Sequence, residues 1–404
     1  APYFAAFATA DATALYSFPS RSNMQPMNHP AYHATITPDK IAYQMLDTGE
    51  SLSYAELDAA SNQAAQALRL LGVQVGDHIA LLLENRLELM VLAWAAQRSG
   101  VIYTPISRYL TAAEAAFIVE DCGAKVFITS AKLGDVATEM RQHLSGNINL
   151  QMLDNAVEGY NLWDENQKDQ PVTPVEDECA GASMLYSSGT TGRPKGILRD
   201  YPKTGIDSLS PVVLPVCEKM AGMGPDSIYL SPAPLYHSAP LATAMIAAGL
   251  GCTTLVMPRF NETAFLEAVE KYHVTHTQVV PTMFVRLLKL PQAERESYNT
   301  SRLRGAIHVA APCPVKIKQQ MIDWWGPILI EFYAGTEGNG VTASNTQQWI
   351  DHPGSVGKAL IGEIYILDDE GSTLPAGEVG DVYFNAGQRF AYHGDPEKTE
   401  SAFT

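Results

Sequence analysis

The chain has 404 residues, 46% of them apolar and 18% charged, which is more than one ordinary domain uses and excludes general disorder. Asp and Glu number 44 against 27 Lys and Arg, a formal charge of −17, which argues against a duplex-wrapping nucleic-acid binder and a polybasic membrane anchor. A small phosphate ligand is still allowed, because local backbone amides bind anions on an acidic surface. The five cysteines (Cys122, Cys179, Cys217, Cys252, Cys313) are scattered without a C-x-x-C pair, so no disulfide framework or zinc ribbon is expected and a reducing cytoplasm is the natural setting.

In chain order, residues 1–23 are alanine-rich, lack a basic start and read as a non-native or disordered tail, with native sequence from Met24 or Met27. Ser53-Tyr54-Ala55-Glu56 is a capping box opening a helix whose Leu57, Ala60, Ala64, Leu68 and Leu71 share one face. A strand follows at 78–83, a helix to about Arg98, a strand at 101–106, a second capping box at Thr111–Glu114 and a strand at 125–129. This alternation predicts a parallel sheet covered on both faces. The polar stretch 155–174 reads as a surface connection. Further strands are expected at 183–187, 227–231, 252–257, 275–280, 305–309 and 328–333, with helices between them. The apolar run 239–258 is long enough for a membrane span, but Gly249 and Gly251 split it into a helix and a buried strand, so no stable insertion is expected. After Pro353 the pattern alternates at 362–367 and 379–384 around an acidic turn, predicting a short antiparallel or barrel-like unit. The expected units are 24–180, 181–355 and 356–404.

The strongest motif is Ser187-Ser188-Gly189-Thr190-Thr191-Gly192-Arg193-Pro194-Lys195-Gly196. Its glycines let backbone approach an anion, its hydroxyls donate to phosphate oxygens, and Lys195 adds a mobile positive charge. A P-loop of the G-x-x-x-x-G-K-[ST] kind does not fit, because Pro194 precedes Lys195 and Gly196 follows it.

The segment instead resembles the phosphate loop of the adenylate-forming enzymes, which include acyl-CoA synthetases, luciferases and peptide-synthetase adenylation domains. Pro234-Leu235-Tyr236-His237-Ser238, Ala310-Ala311-Pro312 and Glu331-Phe332-Tyr333-Ala334-Gly335-Thr336-Glu337 follow in the family's order. The resemblance runs from about residue 27 to the end. It implies two stacked α/β subdomains with largely parallel sheets and a small β-barrel-like subdomain. It also implies activation of a carboxylate with ATP to acyl-AMP, then thioester formation with CoA. On that resemblance Ser187, Ser188, Gly189, Thr190, Thr191, Gly192 and Lys195 embrace phosphates, and Thr190 and Glu337 hold Mg²⁺. Thr336 donates to the α-phosphate. Ala310, Ala311, Pro312, Glu331, Phe332 and Tyr333 surround adenine. His237, Ala239, Leu241, Val309 and Gly335 line the acyl pocket. Thr191, Lys195, His237, Thr336 and Glu337 are the catalytic set, with His237 orienting the carboxylate. Cys313 has no partner readable from sequence and is expected to be inert.

Val309 and Phe332 stand where many relatives have Gly. The run from His308 through Trp324-Trp325-Gly326 resembles most nearly the bacterial fatty-acid, bile-acid and steroid-acid CoA ligases, implying an apolar acid. The sequence stops at Thr404, just past Asp395–Glu400 and before the hinge and small C-terminal domain that the family carries, so weak nucleotide binding and poor turnover are expected of the 404-residue chain. The alternatives are an acyl-adenylate or carrier-protein-loading ligase, and a non-catalytic nucleotide- or acyl-binding module. A homodimer is a possible assembly.

Overall fold

The computed structural model describes residues 28–187, 194–199, 205–386 and 389–403. Ser188, Gly189, Thr190, Thr191, Gly192 and Arg193 of the phosphate-loop motif, and the tail at 1–23, lie outside the described residues.

Both expected capping boxes form. Ser53 caps the helix Tyr54–Leu70 and Thr111 caps Ala112–Asp121, each with the Glu three residues on returning its carboxylate to the cap amide. The first sheet has six parallel strands in the order Asn161–Leu162, Asn149–Leu153, Ala124–Ser130, His78–Leu82, Ile102–Pro105 and Ala182–Ser183. The second has nine strands. Its parallel centre runs Leu329–Ala334, Gly305–His308, His276–Val279, Ile228–Ser231, Thr253–Val256 and Ile41–Met45. Antiparallel edges are added by Ser51–Ser53 on one side and by Val341–Asn345 and Lys358–Ile361 on the other.

One hydrophobic cluster joins the facing sides of the two sheets, through Ile79, Val126, Ile307 and Ile330, to the helices Tyr54–Leu70, Leu87–Arg98 and Ser238–Gly249. A second cluster packs Glu262–Lys271, Pro281–Lys289 and Val315–Trp325 on the far side of the nine-stranded sheet. A third packs Ala112–Asp121 and Gly134–Met140 on the far side of the six-stranded sheet. Helix, sheet, helix, sheet, helix is the resulting order of layers, an α/β architecture with parallel-rich sheets.

The sheets do not follow the expected segment boundaries. The hairpin at 41–53 lies within the segment 24–180, yet it pairs with Thr253–Val256 in the nine-stranded sheet. The expected strand 183–187 breaks at Met184: Ala182–Ser183 joins the first sheet and Leu185–Ser187 a separate three-stranded one. Residues 356–404 are divided among three sheets. Lys358–Ile361 extends the nine-stranded sheet, Glu363–Leu367 pairs with Asp381–Asn385, and Phe390–Tyr392 pairs with Lys195–Arg199. Polar composition hid the helix Trp163–Gln167 in the expected surface connection; it is anchored by a fully buried Trp163. The run 239–258 divides as expected into Ser238–Gly249 and Thr253–Val256, and no helix among the described residues is long and apolar enough to cross a membrane.

Candidate active site

Lys195, Arg199, Tyr392, Thr336 and Glu337 meet between the three-stranded sheet and the turn after the strand Leu329–Ala334. Lys195 opens the strand Lys195–Arg199, which sits between Leu185–Ser187 and Phe390–Tyr392. Ser187 pairs directly with Lys195 in this antiparallel register. The Lys195 ammonium donates to Asp395 Oδ2 at 3.1 Å and lies 5.8 Å from the centre of the Tyr392 ring. A strand repeats every second residue on one face, so Arg199 follows Lys195 on the same side. Its guanidinium donates to the Thr336 carbonyl from Nε at 3.2 Å and from Nη2 at 2.5 Å.

Thr336 and Glu337 follow the strand Leu329–Ala334 and are half-buried. The Tyr392 hydroxyl donates to Glu337 Oε1 at 3.0 Å. Burial and that carboxylate push the Tyr392 phenol up to about 12. Tyr392 thus touches both the phosphate-loop lysine and the Thr-Glu turn. A Cβ at Gly335 would lie 2.8 Å from Glu337 Oε2 and would push that carboxylate aside. A half-buried carboxylate on an open turn, with one oxygen already accepting a hydrogen bond, fits the hard oxygen donors that Mg²⁺ takes.

Ala310, Ala311 and Pro312 form an exposed turn after the strand Gly305–His308, and Ala310 has φ +80°. Tyr333 is exposed and its ring stacks near Phe384, with centroids 6.3 Å apart. Glu331 corrects the expectation for its side chain. It is buried, and its carboxylate accepts from Lys318 at 2.5 Å instead of facing a ligand. The reason is the two-residue period of its strand, which turns Glu331 with Leu329 toward the outer helices and Phe332 with Ile330 toward the inner cluster. Phe332, Val309 and Leu241 all belong to that inner cluster, with Ala239 packed against it. His237 stands exposed at the start of the helix Ser238–Gly249, its ring 4.3 Å from Tyr236. Desolvation by the surrounding protein holds its imidazole below the ordinary value. Burial pushes the Cys313 thiol up to about 12, which disfavours the thiolate at neutral pH.

The structure adds residues that the motifs did not mark. A cleft of about 420 Å³ beside Tyr236 is lined by Asn85, Arg108, Tyr109, Arg259 and Arg286. Its walls come from loops that follow strands of both sheets and from the helix Pro281–Lys289, which brings Arg286, whose guanidinium is paired with the Glu262 carboxylate. Arg199 had a readable signal, since it lies two strand periods beyond Lys195. Tyr392 had none, because only the pairing of its strand brings it in, and the cleft arginines had none, because they come from two loops and a helix.

The AMP-binding enzyme family model matches residues 31–390. A long-chain-fatty-acid–CoA ligase, FadD13, of Mycobacterium tuberculosis is 28% identical over 381 residues, covering 92% of this chain and 72% of its own. A 4-coumarate–CoA ligase of Petroselinum crispum is 28% identical over 379 residues, covering 88% of this chain and 66% of its own. Among solved structures, the N-terminal domain of FACL13 from M. tuberculosis superposes with a TM-score of 0.75 at 24% identity, covering 94% of both chains. The anthranilate–CoA ligase AuaEII in complex with anthranoyl-AMP superposes with a TM-score of 0.76 at 21% identity, covering 94% of this chain and 72% of its own. With motif order, layered fold and family match in agreement, the chain belongs to the AMP-binding enzyme family, as a homologue of the acyl-CoA ligases.

Proposed function

We propose that this protein is an AMP-forming acid–CoA ligase acting on an apolar carboxylic acid, a fatty acid foremost and a bulky steroid or aryl acid next. The observation that carries this reading is the meeting of Lys195 and Glu337 on Tyr392. Adenylation brings two anions together, and it needs a cation and a metal-binding carboxylate at one place. A carboxylate oxygen of the acid attacks the α-phosphorus of ATP, and pyrophosphate leaves. The CoA thiol then attacks the acyl carbon, and AMP leaves as the thioester forms.

Lys195 would exchange its partner Asp395 for phosphate oxygens, and Thr336 would donate to the α-phosphate. Glu337, with Thr190, would hold Mg²⁺, which when bound neutralises triphosphate charge. Tyr333 and the Ala310–Pro312 turn would flank adenine. His237 would orient the acid from the start of the helix Ser238–Gly249, beside Tyr236. The cleft beside Tyr236, with Arg108 and Arg259 in its lining, suits the phosphates of CoA, because guanidinium forks match phosphate geometry. Free cysteines at all five positions suit a reducing cytoplasm.

The test is pyrophosphate release by the full-length protein with ATP, Mg²⁺ and a panel of acids, each with and without CoA. Acid-dependent pyrophosphate with a CoA-dependent thioester is expected. Glu337→Gln should lower the rate by about 100-fold or more, as loss of a charge-stabilising group does elsewhere. Pyrophosphate without a thioester would replace this reading by adenylate or carrier-protein chemistry. ATP binding with no pyrophosphate for any acid would leave a binding module.

A further inference from the structure

Lys318, Glu331 and His308 form a buried polar cluster that the reaction described above does not use. Lys318 is 1% exposed and Glu331 6%. Their ion pair measures 2.5 Å, and the Lys318 ammonium lies 5.0 Å from the centre of the Trp349 ring. His308 is fully buried with Nε2 3.7 Å from the same Glu331 oxygen, and among the described residues neither of its ring nitrogens makes a hydrogen bond. Its ring meets Phe284 edge-on. Burial pushes the Glu331 carboxyl up and the Lys318 amine down, and the attraction between them opposes both shifts. Two charges in such a place cost several kcal/mol each to desolvate, so a hydrophobic pair of equal volume would hold the fold at least as well.

The chain order shows what the cluster joins. His308 ends the strand Gly305–His308, Lys318 lies in the first turns of the helix Val315–Trp325, and Glu331 sits in the next strand, Leu329–Ala334. The turn at 309–314 therefore begins and ends beside one carboxylate. That turn contains Ala310 at φ +80°, a conformation that a side chain adopts only where its surroundings impose it. One residue past Glu331 begins the Phe332–Tyr333 segment. An apolar contact has no preferred direction, whereas an ammonium–carboxylate hydrogen bond fixes distance and angle.

We propose that Glu331, held by Lys318 and faced by His308, is a positioning residue: it fixes the Ala310–Pro312 turn and the Phe332–Tyr333 segment in the arrangement that receives adenine. This rests on the adenylation reading above.

The test compares Lys318→Met, Glu331→Met and the double variant in the full-length protein, by melting temperature and by calorimetric titration with ATP. Each single variant leaves a buried charge unpaired and should melt well below the parent. The double variant has near-equal volume and no unpaired charge, so it should recover the parent's melting temperature. It should still bind ATP about tenfold more weakly, as small misplacements of a binding surface do. The loss should appear in KM for ATP more than in kcat. A double variant with parental stability and parental ATP affinity would overturn the proposal. So would one that recovers neither stability nor affinity, because the pair would then be structural. A parent that does not bind ATP would instead overturn the adenylation reading itself.

Discussion

Ala310 shows how a single backbone angle marks a site. Its φ of +80° lies in the left-handed region, which costs an L-residue roughly 1–2 kcal/mol. Ala310→Gly relieves that strain and adds less than about 1 kcal/mol of unfolded-state entropy. The variant should be more stable by about 0.5–1 kcal/mol, seen as a higher urea midpoint at unchanged slope. A lower midpoint would mean that the alanine methyl makes packing contacts worth more than the strain. At the same scale, Tyr392 was invisible as a site residue. A tyrosine on a short alternating strand has the composition of ordinary sheet, and only its pairing across to Lys195–Arg199 sets it against Glu337.

At the scale of elements, the junction of the two sheets depends on Asn85. It follows the strand His78–Leu82 of the first sheet, and its amide donates to the carbonyls of Ala233 at 3.0 Å and Met257 at 2.8 Å in the second. Its carbonyl accepts from the Leu235 amide at 2.9 Å. These three buried bonds hold the loop before Tyr236 and His237 beside the arginine-lined cleft. Asn85→Ala strands buried backbone groups and should cost about 3 kcal/mol in chemical denaturation. A cost below about 1 kcal/mol would show that water replaces the amide there. Helices and central strands of both sheets were legible because their apolar periods are long and their capping boxes local. The hairpin at 41–53 was not legible as part of the later sheet, because a strand's local sequence does not say which sheet it joins. Its partner, Thr253–Val256, lies some two hundred residues on.

At the scale of the molecule, burial of neutral histidines sets the acid limit. Desolvation lowers the pKa of His29, His33, His276 and His308. Their folded values lie below the unfolded value of about 6.5, so below that pH the unfolded chain binds more protons than the folded one. Unfolding free energy should be flat above about pH 6.5 and fall as pH drops below it. Glu331, whose carboxyl is raised, acts in the opposite direction as it protonates in the folded state. Carboxylates lowered by ion pairs, such as Asp154 and Glu262, add their loss only below about pH 4.5, under their unfolded values. Denaturation midpoints measured across pH 4.5–7.5 check this. A midpoint constant down to pH 5 would show that the histidines protonate without unfolding the chain.

By itself the sequence determined the α/β class, the helix starts, the split of the long apolar run and the order of motifs that names the family. These are local, since caps, periods and loop compositions act within a few residues of one another. Only the tertiary structure decided which strands share a sheet, that Glu331 turns inward to Lys318, that Tyr392 meets Glu337, and that three arginines distant in sequence line one cleft. Those outcomes depend on strand pairing and on which face of a sheet is covered. Both are fixed by long-range burial, which no short window of sequence contains.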